Sequence, residues 1–248
     1  MLNRKPWDDP LTNHLSPIQN QQVFIKEHAC LLKSPDELFA AAFNDDISDK
    51  KPIVLRHAGS SKEPTHTNPT YLPDDMLLAM QPVFQIRHPV LMFPSFFRAE
   101  QKVLPNSRLR DPMFAAFMTL RPSRALFDWY ANHPSALPPK VIDADDIMND
   151  KDAVRQLCLD IDFDPDAVQY EWETRKEDDP LKAPFLSTIY ASKGIQPGLE
   201  ARCLDIEAEK AKWIAEFGEQ DGEIMAKYVR AAMPDYEYLL ERRVRGSK

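Results

Sequence analysis

A chain of 248 residues with 43% hydrophobic and 28% charged residues is long enough for one large core and too apolar to remain disordered. Its net charge of −8, from 31 basic against 39 acidic residues, excludes the basic face that a nucleic-acid backbone demands, though not a local pocket for a small anion. No apolar stretch approaches the ~20 residues of a membrane span, no export signal opens the chain, and Cys30, Cys158 and Cys203 are too dispersed for a disulfide scaffold or a thiolate zinc site, so a cytoplasmic protein is expected.

Residues 1–22 read as an irregular lead-in carrying Pro6, Pro10 and Pro17. Val23-Phe24-Ile25 is an apolar run long enough for a buried strand. Ser34-Pro35-Asp36-Glu37 starts a helix, with Ser34 as cap, Pro35 in the first helical position and Leu38, Phe39, Ala42 and Phe43 on its apolar face. Ile53-Val54-Leu55 reads as a short strand within a polar loop, and Pro73-Asp74-Asp75 opens a brief helix through Met80. Val83-Phe84-Gln85-Ile86 is the next strand, followed by a helix from Pro89 to about Val103 and further helices over 111–120 and 123–132. Lys140-Val141-Ile142-Asp143 is another strand, with helical spacing over 151–160 and 164–173. Residues 199–248 read as one or two long helices interrupted at Pro234, with Glu207 facing Lys210 and Glu209 facing Lys212. Strands separated by helices predict an α/β protein of one domain over 1–248, its mainly parallel sheet flanked by helices and followed by a helical C-terminal segment.

Twenty-two prolines stand against six glycines, and no glycine precedes Gly59. Neither GxGxxG nor GxxxxGK[ST] occurs, so nucleotide binding through a glycine loop is not expected. Ligands of open α/β sheets bind beyond the carboxyl ends of the strands. That rule selects Lys26-Glu27-His28, then Arg87-His88 with Ser95 two turns further, then Asp143, Asp145 and Asp146. Free N–H groups of the helix after Arg87 would favour an anion. The aspartates do not have the spacing of a calcium loop and are expected to cap or stay solvated, so no metal is predicted.

Phe84-Gln85-Ile86-Arg87-His88-Pro89, with Ser95 eight residues after Arg87, resembles the 3′-phosphate-binding segment of sulfotransferases, and in particular of the fungal and bacterial sulfotransferase-like P-loop proteins. Val141-Ile142-Asp143-Ala144-Asp145-Asp146, Leu157-Cys158, Phe163-Asp164-Pro165, Trp172, and Phe185-Leu186-Ser187-Thr188 running into Ala191-Ser192-Lys193-Gly194 extend that resemblance over roughly Val23 to Met233. Lys193 stands where that subgroup more often has threonine. The resemblance implies a P-loop NTPase-type core, Arg87 and Ser95 on a nucleotide 3′-phosphate, and His28 as general base; Lys26, from its place after the first strand, and His57, in the following polar loop, are the further candidate anion or substrate contacts. It also implies a first strand and a glycine-containing phosphosulfate loop before Val23, where the twenty-two residues present contain no glycine. Either the sequence is an N-terminally shortened reading of its gene or, with Met1 as the start, the protein is a relative that has lost the sulfonate donor, and the second is the expectation.

Bland alternatives stand beside each assignment. Arg87 and Ser95 could form a structural pair with a carboxylate. His28 has no visible partner, His57 lies in a polar loop, and His88 is expected to point away from the sheet. Phe93, Phe96, Phe97 and Trp172 read as packing. The leading expectation is a cofactor-independent enzyme of secondary metabolism, a cyclase, isomerase or pericyclic catalyst of Diels-Alder type, holding a small apolar metabolite beside His28 and Arg87. The first alternative is a sulfotransferase using 3′-phosphoadenosine 5′-phosphosulfate. The second is a non-catalytic interaction scaffold, with apolar surface left by an absent strand covered in a homodimer.

Overall fold

The computed structural model describes residues 23–34, 36–38, 40, 53–56, 59, 61, 63–201 and 204–246. Strands β1 (Val83–Ile86) and β2 (Lys140–Asp143) pair in parallel, in the register Val83↔Lys140 to Ile86↔Asp143. Parallel neighbours require a long crossover, supplied here by α2 (Pro89–Val103), α3 (Pro112–Phe117) and α4 (Arg121–Asn132), while α1 (Asp74–Leu78) precedes β1. Helices α5 (Ala144–Asn149), α6 (Lys151–Asp160), α7 (Ala183–Ala191), α8 (Ile206–Phe217) and α9 (Glu219–Glu241) follow. The protein is thus α/β, a small parallel sheet flanked by helices with a helical C-terminus.

The sequence explains these choices locally. In β1, Ile86 is buried and Phe84 packs against the core, whereas Val83 and Gln85 are exposed, the alternation of a half-covered strand. In β2, Val141, Ile142 and Asp143 are all buried, as in a strand covered on both faces. Helix α2 begins with Pro89 in its first turn, and His88 caps it. Its buried residues Val90, Phe93 and Phe97 recur at helical spacing and join Met225, Ala226 and Val229 of α9 in one cluster. Phe96, partly buried, meets the rings of Phe114, Phe117 and Phe185, so the aromatic run is packing. Ser34 caps its helix as expected, its Oγ accepting from Glu37 N at 3.3 Å.

Several expectations fail for physical reasons. Val23, Phe24 and Ile25 form no strand: they are 76%, 77% and 64% exposed, with no neighbouring strand to pair with among the described residues. Of Ile53-Val54-Leu55, Leu55 donates its N–H to Tyr71 O at 2.7 Å, but no ladder forms. The helix expected over 164–173 stops after one 3₁₀ turn (Pro165–Ala167), and Trp172 is only partly buried, its Nε1 reaching Ser192 Oγ at 3.2 Å. The lead-in 1–22, His57, Phe39, Ala42, Phe43 and Cys203 lie outside the described residues.

The C-terminal helices break at Gly218 and run through Pro234. Gly218 has φ +89°, a conformation that glycine tolerates and other residues resist. Pro234 sits on the exposed side of α9, where burial of Val229, Ala232, Tyr236 and Leu239 holds the helix past it. Lys212 pairs with Glu209 as expected, but Lys210 reaches Glu223 at 2.6 Å and Glu207 pairs with Arg230, so both charges tie α8 to α9. The two helices touch at Gly222, where a Cβ would lie 2.6 Å from Ile214 Cγ1 and 2.7 Å from its Cα and N. A Gly222→Ala variant gains about 1 kcal/mol of helix propensity but forces the backbone of α8 away, an overpacking cost of about 1–3 kcal/mol. Net destabilisation is expected, seen as a lower urea midpoint at unchanged slope. A midpoint at or above wild type would show that the α8–α9 contact yields freely.

Candidate functional site

Both strands end at one edge, with Ile86 opposite Asp143, and the residues just beyond them build the site. Arg87 follows β1 and is partly buried. Its Nη2 donates to Leu199 O at 3.3 Å, whereas its Nε is buried with no partner. Among the described residues Arg87 forms no ion pair with a carboxylate, the structural alternative to anion binding. Ser95 lies two turns along α2 and is exposed.

His88 turns toward the site rather than away from it. Its Nδ1 accepts from Val90 N at 3.1 Å, and its ring packs edge-on to Tyr236 at 4.8 Å between centroids. Burial pushes its imidazole below the ordinary value of 6.5, opposed by Asp145 and Glu237. The Leu91 and Met92 N–H groups both bond to His88 O. The first N–H groups of α2, expected to await an anion beside Arg87, are therefore already used.

The aspartates after β2 are buried rather than solvated: Asp143, Asp145 and Asp146 are 2%, 7% and 7% exposed. Asp143 caps α5 by accepting from Asp145 N at 2.8 Å and also accepts from Tyr236 OH at 3.0 Å. Burial, joined by the nearby Asp145 and Asp146 charges, raises its carboxyl pKa above the usual 3.8 against the lowering effect of these two hydrogen bonds. Both Asp145 oxygens accept from Ala201 N, at 3.1 and 2.9 Å, and Asp146 accepts from Arg243 Nε at 2.6 Å. Among the described residues no cluster has the makings of a metal site.

His88 and the three aspartates line an open cavity of about 720 Å³, within the range of small-molecule sites. Asp143, Tyr236 and His88 line one part of it, Met233 and Leu240 supply apolar wall, and Asp150, Asp152, Glu237, Arg243 and Arg245 charge its rim. Sequence reasoning missed the contribution of α9. Its signal was the helical spacing of Ala232, Tyr236 and Leu239, which marks Tyr236 as facing inward.

His28 stands elsewhere. Its chain segment is extended and exposed, its N–H donates to Glu27 Oε1 at 2.7 Å, and Lys26 Nζ lies 2.8 Å from its Nε2. Desolvation and then the Lys26 charge lower its pKa, so the ring is neutral at pH 7, with Nε2 engaged by Lys26. No hydrogen bond or ring contact joins it to Arg87 or Ser95, so the strand-end position that nominated it is not realised.

The chain is 33% identical over 247 residues to a protein of Metarhizium rileyi named sulfotransferase ppzF, covering 93% of this chain and 72% of the relative. A protein of the same name from Metarhizium majus is 34% identical over 245 residues, covering 92% and 71%. No family model and no solved structure matches. Among the described residues no helix is long and apolar enough to cross a membrane.

Proposed function

The chain belongs to the sulfotransferase-like family, and on that premise we propose that it transfers a sulfonate group from 3′-phosphoadenosine 5′-phosphosulfate to a small molecule, with Arg87 and Ser95 on the 3′-phosphate. One observation carries this assignment: Arg87 holds a buried, unpartnered Nε–H at the carboxyl end of β1. A buried charged donor without a partner is costly, and an anionic oxygen there relieves that cost. Among the described residues the Arg87 Nε–H has no partner and the Ser95 hydroxyl is not committed to another side chain, which supports the reading at this end of the donor. When bound, the nucleotide supplies the sulfonate and leaves as adenosine 3′,5′-bisphosphate. Arg87 holds and orients the phosphate, and Ser95 donates to it from the exposed face of α2. The acceptor hydroxyl loses one proton. The resemblance would give that proton to His28, but His28 does not line the cavity and its Nε2 is engaged by Lys26, so in this reading the proton passes to water.

A second reading has its own support. The cavity at the strand ends is rimmed by carboxylates, and the first N–H groups of α2 are occupied, a setting suited to an uncharged or cationic small molecule. In this reading the fold acts without the donor, on a small metabolite held for cyclisation, isomerisation or a pericyclic step.

Calorimetry with adenosine 3′,5′-bisphosphate separates the two. Micromolar binding by the wild type, weakened about 10- to 100-fold in Arg87→Ala and a few-fold in Ser95→Ala, is the expected result. Absence of binding by the wild type overturns the donor assignment and leaves the donor-free reading.

A further inference from the structure

The cavity at the strand ends contains a hydrogen-bond donor that no part of the protein uses. His88 Nδ1 accepts from the Val90 N–H, so the neutral ring carries its proton on Nε2. That Nε2–H has no partner among the described residues, and His88 lines the cavity. Edge-on packing against Tyr236 fixes the ring, and the Tyr236 hydroxyl is itself committed to Asp143. The donor is therefore preset on a ring that lines the cavity, and free to meet a ligand oxygen.

Charge defines the rest of the ligand. Six carboxylates line the cavity against the guanidiniums of Arg243 and Arg245, and Arg243 is already spent on Asp146. A concave site of net negative charge concentrates cations and repels anions. Of the six, Glu237, adjacent in sequence to Tyr236, is exposed. The side chains of Met233 and Leu240 give an apolar wall between these polar features.

We propose that this cavity binds an amine-bearing small molecule, with a ligand oxygen on His88 Nε2–H, the ammonium among the carboxylates, and the carbon skeleton on Met233 and Leu240. Calling that ligand the sulfonate acceptor rests on the sulfotransferase reading; the binding itself does not. The anionic donor would lie apart from it, since Arg87 does not line the cavity.

The test uses three probes that share a phenol ring: tyramine, uncharged 4-ethylphenol, and anionic 3-(4-hydroxyphenyl)propionate, each titrated calorimetrically into wild type, His88→Asn and Glu237→Gln. Tyramine is expected to bind about tenfold or more tighter than the propionate, with 4-ethylphenol between them and the spread shrinking at high salt. His88→Asn keeps a good helix cap, so its melting temperature stays near wild type while tyramine and 4-ethylphenol weaken about fivefold. Glu237→Gln weakens tyramine about threefold and leaves 4-ethylphenol unchanged. Equal or reversed order of the probes, no binding by any of them, or unchanged tyramine affinity in both variants overturns the proposal. Bisphosphate titrated into the same preparations keeps the two assignments apart. Loss of bisphosphate binding with the amine preference intact sinks the donor reading alone, and the converse sinks this one alone.

Discussion

Phe97→Ala is expected to destabilise the protein by about 3–5 kcal/mol, the range for emptying a fully buried aromatic site. Phe97 is 0% exposed and meets Phe114 and Phe217 edge-on, at centroid distances of 5.3 and 5.1 Å. Its ring therefore joins the crossover helices to the C-terminal pair, and no single neighbour can collapse into the space it leaves. Against a total stability of about 5–15 kcal/mol, that loss removes a large share. At about 2–4 °C per kcal/mol for a chain of this size, thermal unfolding should shift down by roughly 10 °C. Phe96→Ala provides the contrast, because Phe96 is only partly buried and part of its surface is already in water, so a smaller loss is expected. Equal effects at the two positions, or less than about 1 kcal/mol at Phe97, would show that the cluster between α2, α3 and α8 is not the principal core.

The second large effect is at the site. Asp143→Ala removes the cap of α5, worth about 1 kcal/mol, and strands the buried hydroxyl of Tyr236, a further cost of about 1–3 kcal/mol. Asp143→Asn keeps one acceptor oxygen and costs less. Its value is diagnostic through pH. Burial raises the Asp143 pKa in the folded protein above the usual 3.8, so between those two values the folded state holds more protons than the unfolded one. Stability from this group is therefore fully present below the usual value and falls as pH climbs through the raised one. Asn cannot titrate, so the stability gap between wild type and Asp143→Asn should widen as pH is lowered from 7.5 into that window. Asp74 works in the opposite sense. Burial pushes it up, but donors from Thr67 and Asn68 outweigh that and bring it below 3.8. Its contribution is present above 3.8 and lost as pH falls through its lowered value, which lies below the window of Asp143. Denaturant midpoints for both proteins at several pH values test this, and a gap that stays constant or narrows on acidification refutes the assignment of Asp143 as a raised carboxyl.

The scaffold around the site was legible because its signals are local. Val83–Ile86, Pro89–Val103, Lys140–Asp143 and Lys151–Asp160 are each written in a short apolar run or a capped helical period, readable without knowing what lies nearby. Val23-Phe24-Ile25 shows the limit of such runs: it has strand composition, but pairing depends on a neighbour that no local pattern can supply. Pro234 misled in the opposite way, since burial along α9 outweighs a proline whose own position faces water. Arg87 and Ser95 were identified by spacing and resemblance; Arg87 follows β1 and Ser95 lies on the exposed side of α2, two turns further on. The aspartates after β2 were also located correctly, but their burial was not foreseeable. Their partners Ala201, Tyr236 and Arg243 follow 56, 93 and 97 residues later in the chain, and only folding brings them together. His88 was misjudged for the same reason, because the ring it packs on belongs to α9.

That distance has a consequence for how the protein comes into being. Tyr236 and Arg243 reach back to Asp143 and Asp146, and Val244 N bonds to Val141 O at 2.8 Å alongside β2. During synthesis the end of β2 emerges early and waits, its buried carboxylates still in water, until the last turns of α9 leave the ribosome. This cavity therefore cannot close until α9 has been made. A nascent chain stalled before residue 236 would carry both strands and Arg87 but no finished pocket, and a bulky fusion placed directly after residue 244 would press on the seam that completes it.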